Sequence, residues 1–278
     1  MAADSFRTSS FVANCSILFT EHPLLERPEA ARRAGFLDVE LWWPFPQAVP
    51  PSSEQDDLVD AAERAQVRVT GLNYFGGDLA AGERGIIADP TRVEEFRASV
   101  EVAHRLGGRL GCRTFNALYG VRSTPANEAE PRTARANLRY AVDHAAETGA
   151  TVVLEPLSDV PGYPLRTIAE VVEVIDEAGA PANLGLQADV YHLASNGVGL
   201  DEALAAAEVV RHVQIADHPG RGEPGSGDLP LGDFLCALRG SGYDGRVALE
   251  FAPTASTTDS LAAMRFAQAS CDNSPGGE

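Results

Sequence analysis

The sequence contains no lysine, since all 22 of its basic residues are arginine. Enzymes that form a Schiff base need a lysine amine, so lysine-dependent aldolases and pyridoxal-phosphate enzymes are excluded. A Walker-type phosphate-binding loop needs the same side chain and is excluded as well. The lack of lysine excludes these classes of protein whatever the cause of that lack.

Positive charge and long apolar segments are also scarce. There are 40 acidic residues against 22 basic ones, which gives a net charge of −18 at pH 7. Such a surface repels phosphate backbones, so we expect no nucleic-acid partner. No apolar run reaches the roughly 18 residues of a membrane span, and MAADSFRTSS lacks the basic-then-apolar pattern of a signal peptide. We therefore expect no membrane partner and a cytoplasmic location.

Cysteine is sparse, with four residues far apart and no C-x-x-C pair. They are Cys15, Cys112, Cys236 and Cys271. This spacing predicts reduced core thiols of a cytosolic protein rather than disulfides or a structural zinc site.

What is present is an alternation of short β-like runs with amphipathic helical runs. The predicted strands cover residues 11–18, 38–43, 67–73, 109–118, 151–156, 184–190, 212–217 and 247–252. Eight strands, each followed by a helix, favour a parallel sheet closed into a (β/α)8 TIM barrel. We predict one α/β domain over 1–278, with frayed tails at about 1–10 and 271–278. A doubly wound open sheet is the alternative, but the first strand lacks a Gly-rich phosphate turn.

Four consecutive predicted strands end in an oxygen-bearing side chain: Glu155, Asp189, Gln214 and Glu250. The carboxyl ends of barrel strands meet at one rim, where three buried carboxylates would repel one another. A positive group must lie among them, and arginine is one candidate. Three carboxylates and an amide carbonyl also form the all-oxygen shell that Mg²⁺ or Mn²⁺ prefers. We predict that these four residues are metal ligands.

Further polar residues are predicted to line a substrate pocket at this rim. His192 follows Asp189 by three positions, although it could be a core histidine. Arg221 lies in the loop after the seventh strand, where it is either an anion-binding group or a surface charge. We add Asn73 at the end of the third strand and Ser158 shortly after Glu155. The small-residue loop at 76–86 is a candidate lid.

Four motifs occur in an order and spacing typical of a known family. They are GDLAAGERGI at 77–86, LEP at 154–156 followed by PGY at 161–163, QADVYH at 187–192, and HVQIAD at 212–217 followed by PGRGEPG at 219–225. With these motifs the chain resembles, over about 11–253, the hydroxypyruvate isomerase family of xylose-isomerase-like TIM barrels.

The resemblance implies an isomerase of a small hydroxy-oxo acid or related keto sugar that uses a divalent metal and no organic cofactor. It implies that the four rim residues bind the metal, and that Glu155 and Glu250 are the catalytic pair that moves a proton through an enediolate. His192 and Arg221 match pocket positions of related epimerases. A Lewis-acidic ion and two glutamates with different pKa values suit that chemistry.

The chain departs from the family pattern near the expected substrate. Ser158 stands where the family has Asn, and Phe251 and Ala252 stand where it commonly has Tyr and Lys. LASN follows the Y-H motif in place of Gln-Arg. The missing cation matters for a carboxylate substrate, so the resemblance leaves open whether hydroxypyruvate or a related compound is used.

Other functions stay open on the sequence alone. A ketose 3-epimerase is close, but those enzymes commonly carry His at the position of Gln214. A dehydratase or lyase of specialised metabolism would use the same metal site. A DNA-repair endonuclease needs a multi-zinc histidine cluster and a basic groove, which six histidines and a charge of −18 disfavour. A non-catalytic binding protein is the last alternative. A small molecule is the expected partner, and analogy adds a homo-oligomer.

Overall fold

Eight parallel strands close into a barrel in the computed structural model, which describes residues 8–265. The strands are β1 (Val12–Asn14), β2 (Asp38–Leu41), β3 (Arg68–Asn73), β4 (Thr114–Asn116), β5 (Thr151–Leu154), β6 (Leu184–Asp189), β7 (Val210–Ile215) and β8 (Val247–Leu249). Each strand pairs with the next, and β1 pairs with both β2 and β8. The predicted (β/α)8 TIM barrel is confirmed and the open sheet is excluded.

Helices lie between the strands and follow the last one. Those of the described residues are α1 (Arg27–Arg33), α2 (Ser52–Ala65), α3 (Val93–Leu110), α4 (Glu130–Glu147), α5 (Ile168–Glu177), α6 (Val190–Ser195), α7 (Leu200–Ala205), α8 (Leu231–Gly240) and α9 (Thr257–Ala263). Among them, none has the length and apolar character needed to cross a membrane. Residues 1–7 and 266–278, which include most of the predicted tails, lie outside the described residues, while Thr8–Ser10 form a 3-10 helix.

The boundaries differ most from the sequence prediction around β4. The predicted strand at 109–118 shortens to three residues because α3 continues to Leu110. Gly111 then ends the helix in the left-handed conformation, with φ at 78°. A side chain at that φ is strained, so glycine fixes the end of the helix here.

The core between the strands and the helices is apolar and closely packed. Phe115 of β4 is 1% exposed, and its ring stacks on Tyr74 with centroids 5.4 Å apart. Gly107 of α3 makes room for this ring, since a Cβ atom there would lie 2.6 Å from the Cζ atom of Phe115. The absence of a side chain on the helix therefore sets how closely α3 approaches the barrel.

The cysteine prediction holds for two residues and is wrong for a third. Cys15 and Cys112 are buried free thiols, and burial raises the pKa of each to about 12. Cys236 is disulfide-bonded. It is partly buried on α8 and is not among the buried residues of that helix. Cys271 lies outside the described residues.

Candidate active site

The four predicted metal ligands lie at the carboxyl ends of β5 to β8. Glu155 and Glu250 directly follow β5 and β8, Asp189 ends β6, and Gln214 is the penultimate residue of β7. None is more than 5% exposed. Since parallel strands end at one rim of a barrel, their order in the sequence brings them together.

Arg221 lies between two of these carboxylates. Its Nη2 atom is 3.1 Å from Oδ2 of Asp189 and 2.9 Å from Oε2 of Glu250. Burial opposes the charge of the guanidinium, but the carboxylates of Glu250 and Asp189 outweigh it and raise the pKa of Arg221. The positive group required by the sequence argument is thus supplied, in part, by an arginine of the chain.

The two glutamates hold protons more tightly than ordinary carboxyl groups do. Burial and the charge of Asp189 raise the pKa of Glu155 to about 8, although Arg221 and a hydrogen bond from Asn116 partly offset the rise. Burial also raises the pKa of Glu250 well above its usual range, against the opposing effect of Arg221. The pKa of Glu155 thus lies within reach of neutral pH, and that of Glu250 is shifted in the same direction.

Glu155, Asp189 and His192 form a candidate acidic metal site, because one donor atom of each lies within 4.8 Å of the others. The tautomer of His192 indicates that the ring would lie beside an ion held there rather than bind it. The backbone N–H of Ser158 donates to Nδ1 of His192 at 3.1 Å, and burial lowers the pKa of the ring. A neutral ring that accepts at Nδ1 carries its proton on Nε2. That N–H faces Asp189 Oδ2 at 3.7 Å.

Gln214 lies beside Asp189 in the register of β6 and β7. Its Nε2 atom donates to Oε1 of Glu40 at 2.6 Å, and its Oε1 atom accepts from Nε2 of Gln187 at 2.7 Å. Gln187 also hydrogen-bonds Glu155. The amide of Gln214 is thus linked to Glu40 on one side and, through Gln187, to Glu155 on the other.

Glu40 and Asn14 belong to this network and were missed by the sequence analysis, and Trp42 also belongs to it. Asn14 Nδ2 donates to Glu40 at 2.9 Å and to Glu250 at 2.8 Å, and Trp42 Nε1 donates to Glu250 at 2.6 Å. One signal could have found Glu40. It stands between Val39 and Leu41 in the second predicted strand, where a charge flanked by apolar residues indicates a side chain inside the barrel.

The loop after β7 is built to present Arg221. Buried Asp217 accepts hydrogen bonds from the backbone N–H groups of His218, Gly225 and Leu229 at 2.8–3.0 Å. Arg221 has a φ of 57°, which is uncommon for a residue with a side chain and typical of functional sites. The guanidinium also lies 5.2 Å from the ring centroid of Tyr191. Of the charged residues after β7, Asp217 therefore stabilises the loop and Arg221 reaches the site.

A cavity of about 480 Å³ opens at this rim. Its lining includes both glutamates and all four predicted pocket residues, namely Asn73, Ser158, His192 and Arg221. Gln214 lies beneath it, in the lining of a much smaller void of about 10 Å³. Six of the residues that the sequence analysis selected therefore line one cavity, whereas Asp189 and Gln214 do not.

The candidate lid at 76–86 covers one side of the cavity and brings in a cation that the sequence analysis missed. Leu79, Ala80 and Arg84 line the cavity. Arg84 Nη1 donates to the carbonyl oxygens of Leu79 and Glu83 at 2.9 and 2.7 Å. No carboxylate of the described residues forms an ion pair with it. Its charge is thus available to a ligand.

Glycine holds this loop in place. Gly85 has a φ of 104°, and a Cβ atom there would lie 2.0 Å from the carbonyl oxygen of Leu118. Its N–H donates to the carbonyl of Gly76 at 2.8 Å, which closes the loop at its base. Arg84 is therefore presented by a fixed backbone rather than by a free loop.

Three comparisons place the chain among known proteins. The family described as xylose isomerase-like TIM barrel matches residues 28–267. A Streptomyces coelicolor protein classed with the hydroxypyruvate isomerases is 45% identical over 257 residues, which cover 89% of this chain and 92% of that protein. Escherichia coli hydroxypyruvate isomerase is 35% identical over 257 residues, which cover 90% of this chain and 96% of that enzyme.

A solved structure shares the fold along the same length. It is a Brucella melitensis protein described as an AP endonuclease of family 2, with 33% identity and a TM-score of 0.83. The match covers 91% of this chain and 97% of that one. The likeness thus extends over the barrel as a whole rather than over one motif.

Proposed function

Because the chain belongs to the xylose isomerase-like TIM barrel family, and within it is similar to hydroxypyruvate isomerases, we propose that it is a divalent-metal-dependent isomerase of a small hydroxy-oxo acid. The observation that carries this proposal is the pair Glu155 and Glu250, two buried glutamates on one cavity beside a candidate acidic metal site. Hydroxypyruvate is the first substrate to test. The cytoplasmic location and the homo-oligomer stay predictions.

The donor set suits a hard cation. Glu155, Asp189, Gln214 and Glu250 would hold Mg²⁺ or Mn²⁺ through oxygen atoms alone. Their burial and mutual repulsion, which raise the pKa values of both glutamates, favour the binding of a positive ion. When bound, such an ion supplies Lewis-acid stabilisation of the negative charge that develops on substrate oxygens.

The glutamates would carry the proton. One removes it from the carbon that bears the hydroxyl group, and the C–H electron pair forms the enediolate. A glutamate then protonates the former carbonyl carbon, while the hydroxyl proton passes to the other oxygen, so that the product is an isomer of the substrate. The pKa of Glu155 is about 8 in the metal-free chain, and a bound cation would lower it toward neutral pH, where a general base works best.

Two donors of the cavity would orient the substrate. The Nε2–H of His192 can donate to a substrate oxygen next to Asp189. Arg84, which has no carboxylate partner of its own among the described residues, can bind the carboxylate of an acid. A cation for an acidic substrate is thus available in the cavity although position 252 is Ala.

Isotope exchange tests the function directly. The protein is incubated in D₂O with Mg²⁺ or Mn²⁺ and hydroxypyruvate, a four-carbon hydroxy-oxo acid or a panel of ketoses, and the products are followed by NMR. We expect deuterium at the reacting carbon of a hydroxy-oxo acid. Glu155→Gln and Glu250→Gln should each slow turnover by about 10²–10⁴-fold, the usual contribution of a general acid or base. Glu147→Gln, on an exposed face of α4, is the matched control.

Other outcomes would point elsewhere. Exchange only at carbon 3 of a ketose would make the chain an epimerase, and loss of water would make it a dehydratase. Bound metal without exchange on any substrate would favour a binding protein.

A further inference from the structure

Glu40 is a buried acid that the proton chemistry above does not use. It lies in the middle of β2, is 3% exposed, and does not line the substrate cavity. Its side chain enters the small void below that cavity together with His212 and Gln214 of β7. Since β2 and β7 are not neighbours in the sheet, these contacts cross the interior of the barrel.

Each oxygen of Glu40 is engaged. Oε1 accepts from Nε2 of Gln214 at 2.6 Å and from Nδ2 of Asn14 at 2.9 Å, and Oε2 is 2.6 Å from Nε2 of His212. The neighbouring strand leaves room for it, because Gly71 of β3 is its register partner and a Cβ atom there would lie 3.1 Å from Oε2 and 3.2 Å from Cβ of Glu40. The barrel is therefore built around this carboxylate.

The contact with Gln214 has a direction. An ionised carboxylate only accepts hydrogen bonds, so it binds the NH₂ end of the amide and repels the carbonyl end. An amide is nearly symmetrical in shape, and without such a partner it could turn over within the same space. With its NH₂ group at Glu40, Gln214 keeps its oxygen toward Gln187, which itself hydrogen-bonds Glu155.

The same acid reaches a second rim residue through Asn14. The Nδ2 group of Asn14 donates both to Glu40 and to Oε1 of Glu250. Its own oxygen accepts from the backbone N–H of Ser16 at 3.0 Å, which fixes the orientation of this amide as well. One buried carboxylate thus sets the position of a neutral donor on β7 and of an acidic one after β8.

We propose that Glu40 is a positioning residue for the metal site, which turns the carbonyl oxygen of Gln214 and, through Asn14, the carboxylate of Glu250 toward the bound ion. This inference rests on the proposed function only for the presence of the ion. It predicts that replacing Glu40 weakens metal binding, which can be measured without following turnover.

Calorimetric titration with Mn²⁺ at fixed pH tests the proposal. Glu40→Gln keeps the shape of the side chain but can offer either an oxygen or an NH₂ group to Gln214, so the amide loses its preferred orientation. We expect a Kd for Mn²⁺ about 10- to 100-fold higher, as for other residues that orient metal ligands. Asp38→Asn is the matched control, since Asp38 is a fully buried acid on the same strand, paired with Arg68 at the other end of the barrel. It should leave the Kd unchanged.

A compensating change separates orientation from general damage. Adding Gln214→Glu to Glu40→Gln places an oxygen toward the ion whichever way the new carboxylate turns, and a hydrogen bond to position 40 stays possible. Gln214→Glu alone is the reference, because its added carboxylate strengthens Mn²⁺ binding by itself. Against that reference the double variant should recover most of the affinity that Glu40→Gln loses in the wild-type chain, which a merely structural role of Glu40 would not predict. Should Glu40→Gln fail to fold, Asn14→Ala removes the hydrogen bonds to Glu40 and Glu250 but leaves the contact between Glu40 and Gln214, and should weaken binding by up to about tenfold.

The two proposals fail in different ways. Wild-type protein that binds Mn²⁺ but turns over no substrate would end the isomerase proposal and leave Glu40 to be judged by affinity. Unchanged Mn²⁺ affinity in Glu40→Gln, or no recovery in the double variant, would overturn the role of Glu40. Wild-type protein that binds no divalent ion would overturn both.

Discussion

Successive residues of the barrel wall face two different environments. Glu40 of β2 and Gln214 of β7 meet across the interior at 2.6 Å, in a polar network that continues to the rim. Their neighbours Leu41 and Ile215 are buried in the apolar core of the protein. A strand alternates its side chains between its two faces, so one segment serves both environments.

The difference teaches where stability and chemistry are located. Apolar burial contributes roughly 25 cal/mol per Å² and accounts for most of the stability of a fold. Buried charges contribute little net stability, because their desolvation offsets their attraction. Changes on the outer face of the barrel should therefore alter unfolding and leave the reaction intact. Changes inside should alter the reaction, and they also lower stability where a buried charge loses its partner.

The largest effect is expected from an apolar residue outside the barrel. Phe115→Ala removes a ring that is 1% exposed and stacked on Tyr74, and should lower the free energy of unfolding by about 3–5 kcal/mol. The measurement is urea unfolding, together with turnover per folded molecule, which should not change. Val121→Ala, at a residue 42% exposed, should cost less than about 0.5 kcal/mol. A loss of turnover in folded Phe115→Ala would contradict the separation of the two faces.

A smaller effect, on substrate binding rather than on stability, is expected at the cavity. Arg84→Gln should raise KM for a hydroxy-oxo acid about 10- to 100-fold, because a hydrogen bond to a charged group is worth about 1.5–3 kcal/mol. Exchange on a neutral hydroxy-ketone and the free energy of unfolding should stay the same. Steady-state kinetics on both substrates, with the exposed Arg122→Gln as control, measures this. Equal losses on the acid and the neutral compound would show that Arg84 supports the loop instead.

The fold and the rim could be predicted because both depend on local pattern. Each of Glu155, Asp189, Gln214 and Glu250 follows the one before it by about the length of one strand and one helix. The closed parallel barrel brings the ends of such strands together. The same logic placed His192 on the rim, since Asp189 ends β6 and its side chain caps α6.

Contacts between distant parts of the chain could not be predicted in this way. Glu40 and Gln214 are 174 positions apart, and only the closed barrel makes them partners. Arg221 lies between two carboxylates because of the loop that Asp217 stabilises. The sequence pattern required a positive group there but did not distinguish an arginine from a metal ion. Cys236 was misassigned because spacing between cysteines does not tell which face of a helix carries the thiol.

A polar group on the outer side of the wall gives the smallest effect and a test of its pH dependence. His104 of α3 is 8% exposed, with Nε2 2.9 Å from the hydroxyl of Tyr74 and its ring 4.3 Å from that of Phe115. Burial, aided by the nearby His144, lowers the pKa of His104 from 6.5 to about 4. It has no place in the proposed chemistry, so its titration should affect unfolding alone.

The sign follows from which state takes up the proton. Between pH 6.5 and pH 4 the unfolded chain protonates His104 and the folded chain does not, so stability falls as the pH is lowered through this range. At about 1.4 kcal/mol per pKa unit, the loss from pH 6.5 to pH 5 should be about 1–2 kcal/mol. Urea unfolding of wild type and His104→Asn at pH 5, 6 and 7.5 measures it. The variant should be less stable at pH 7.5 because its packing is poorer, but its stability should fall less on acidification. An equal fall in both proteins would mean that the acid sensitivity comes from carboxylates instead, and that His104 gains a proton in the folded state as easily as in the unfolded one.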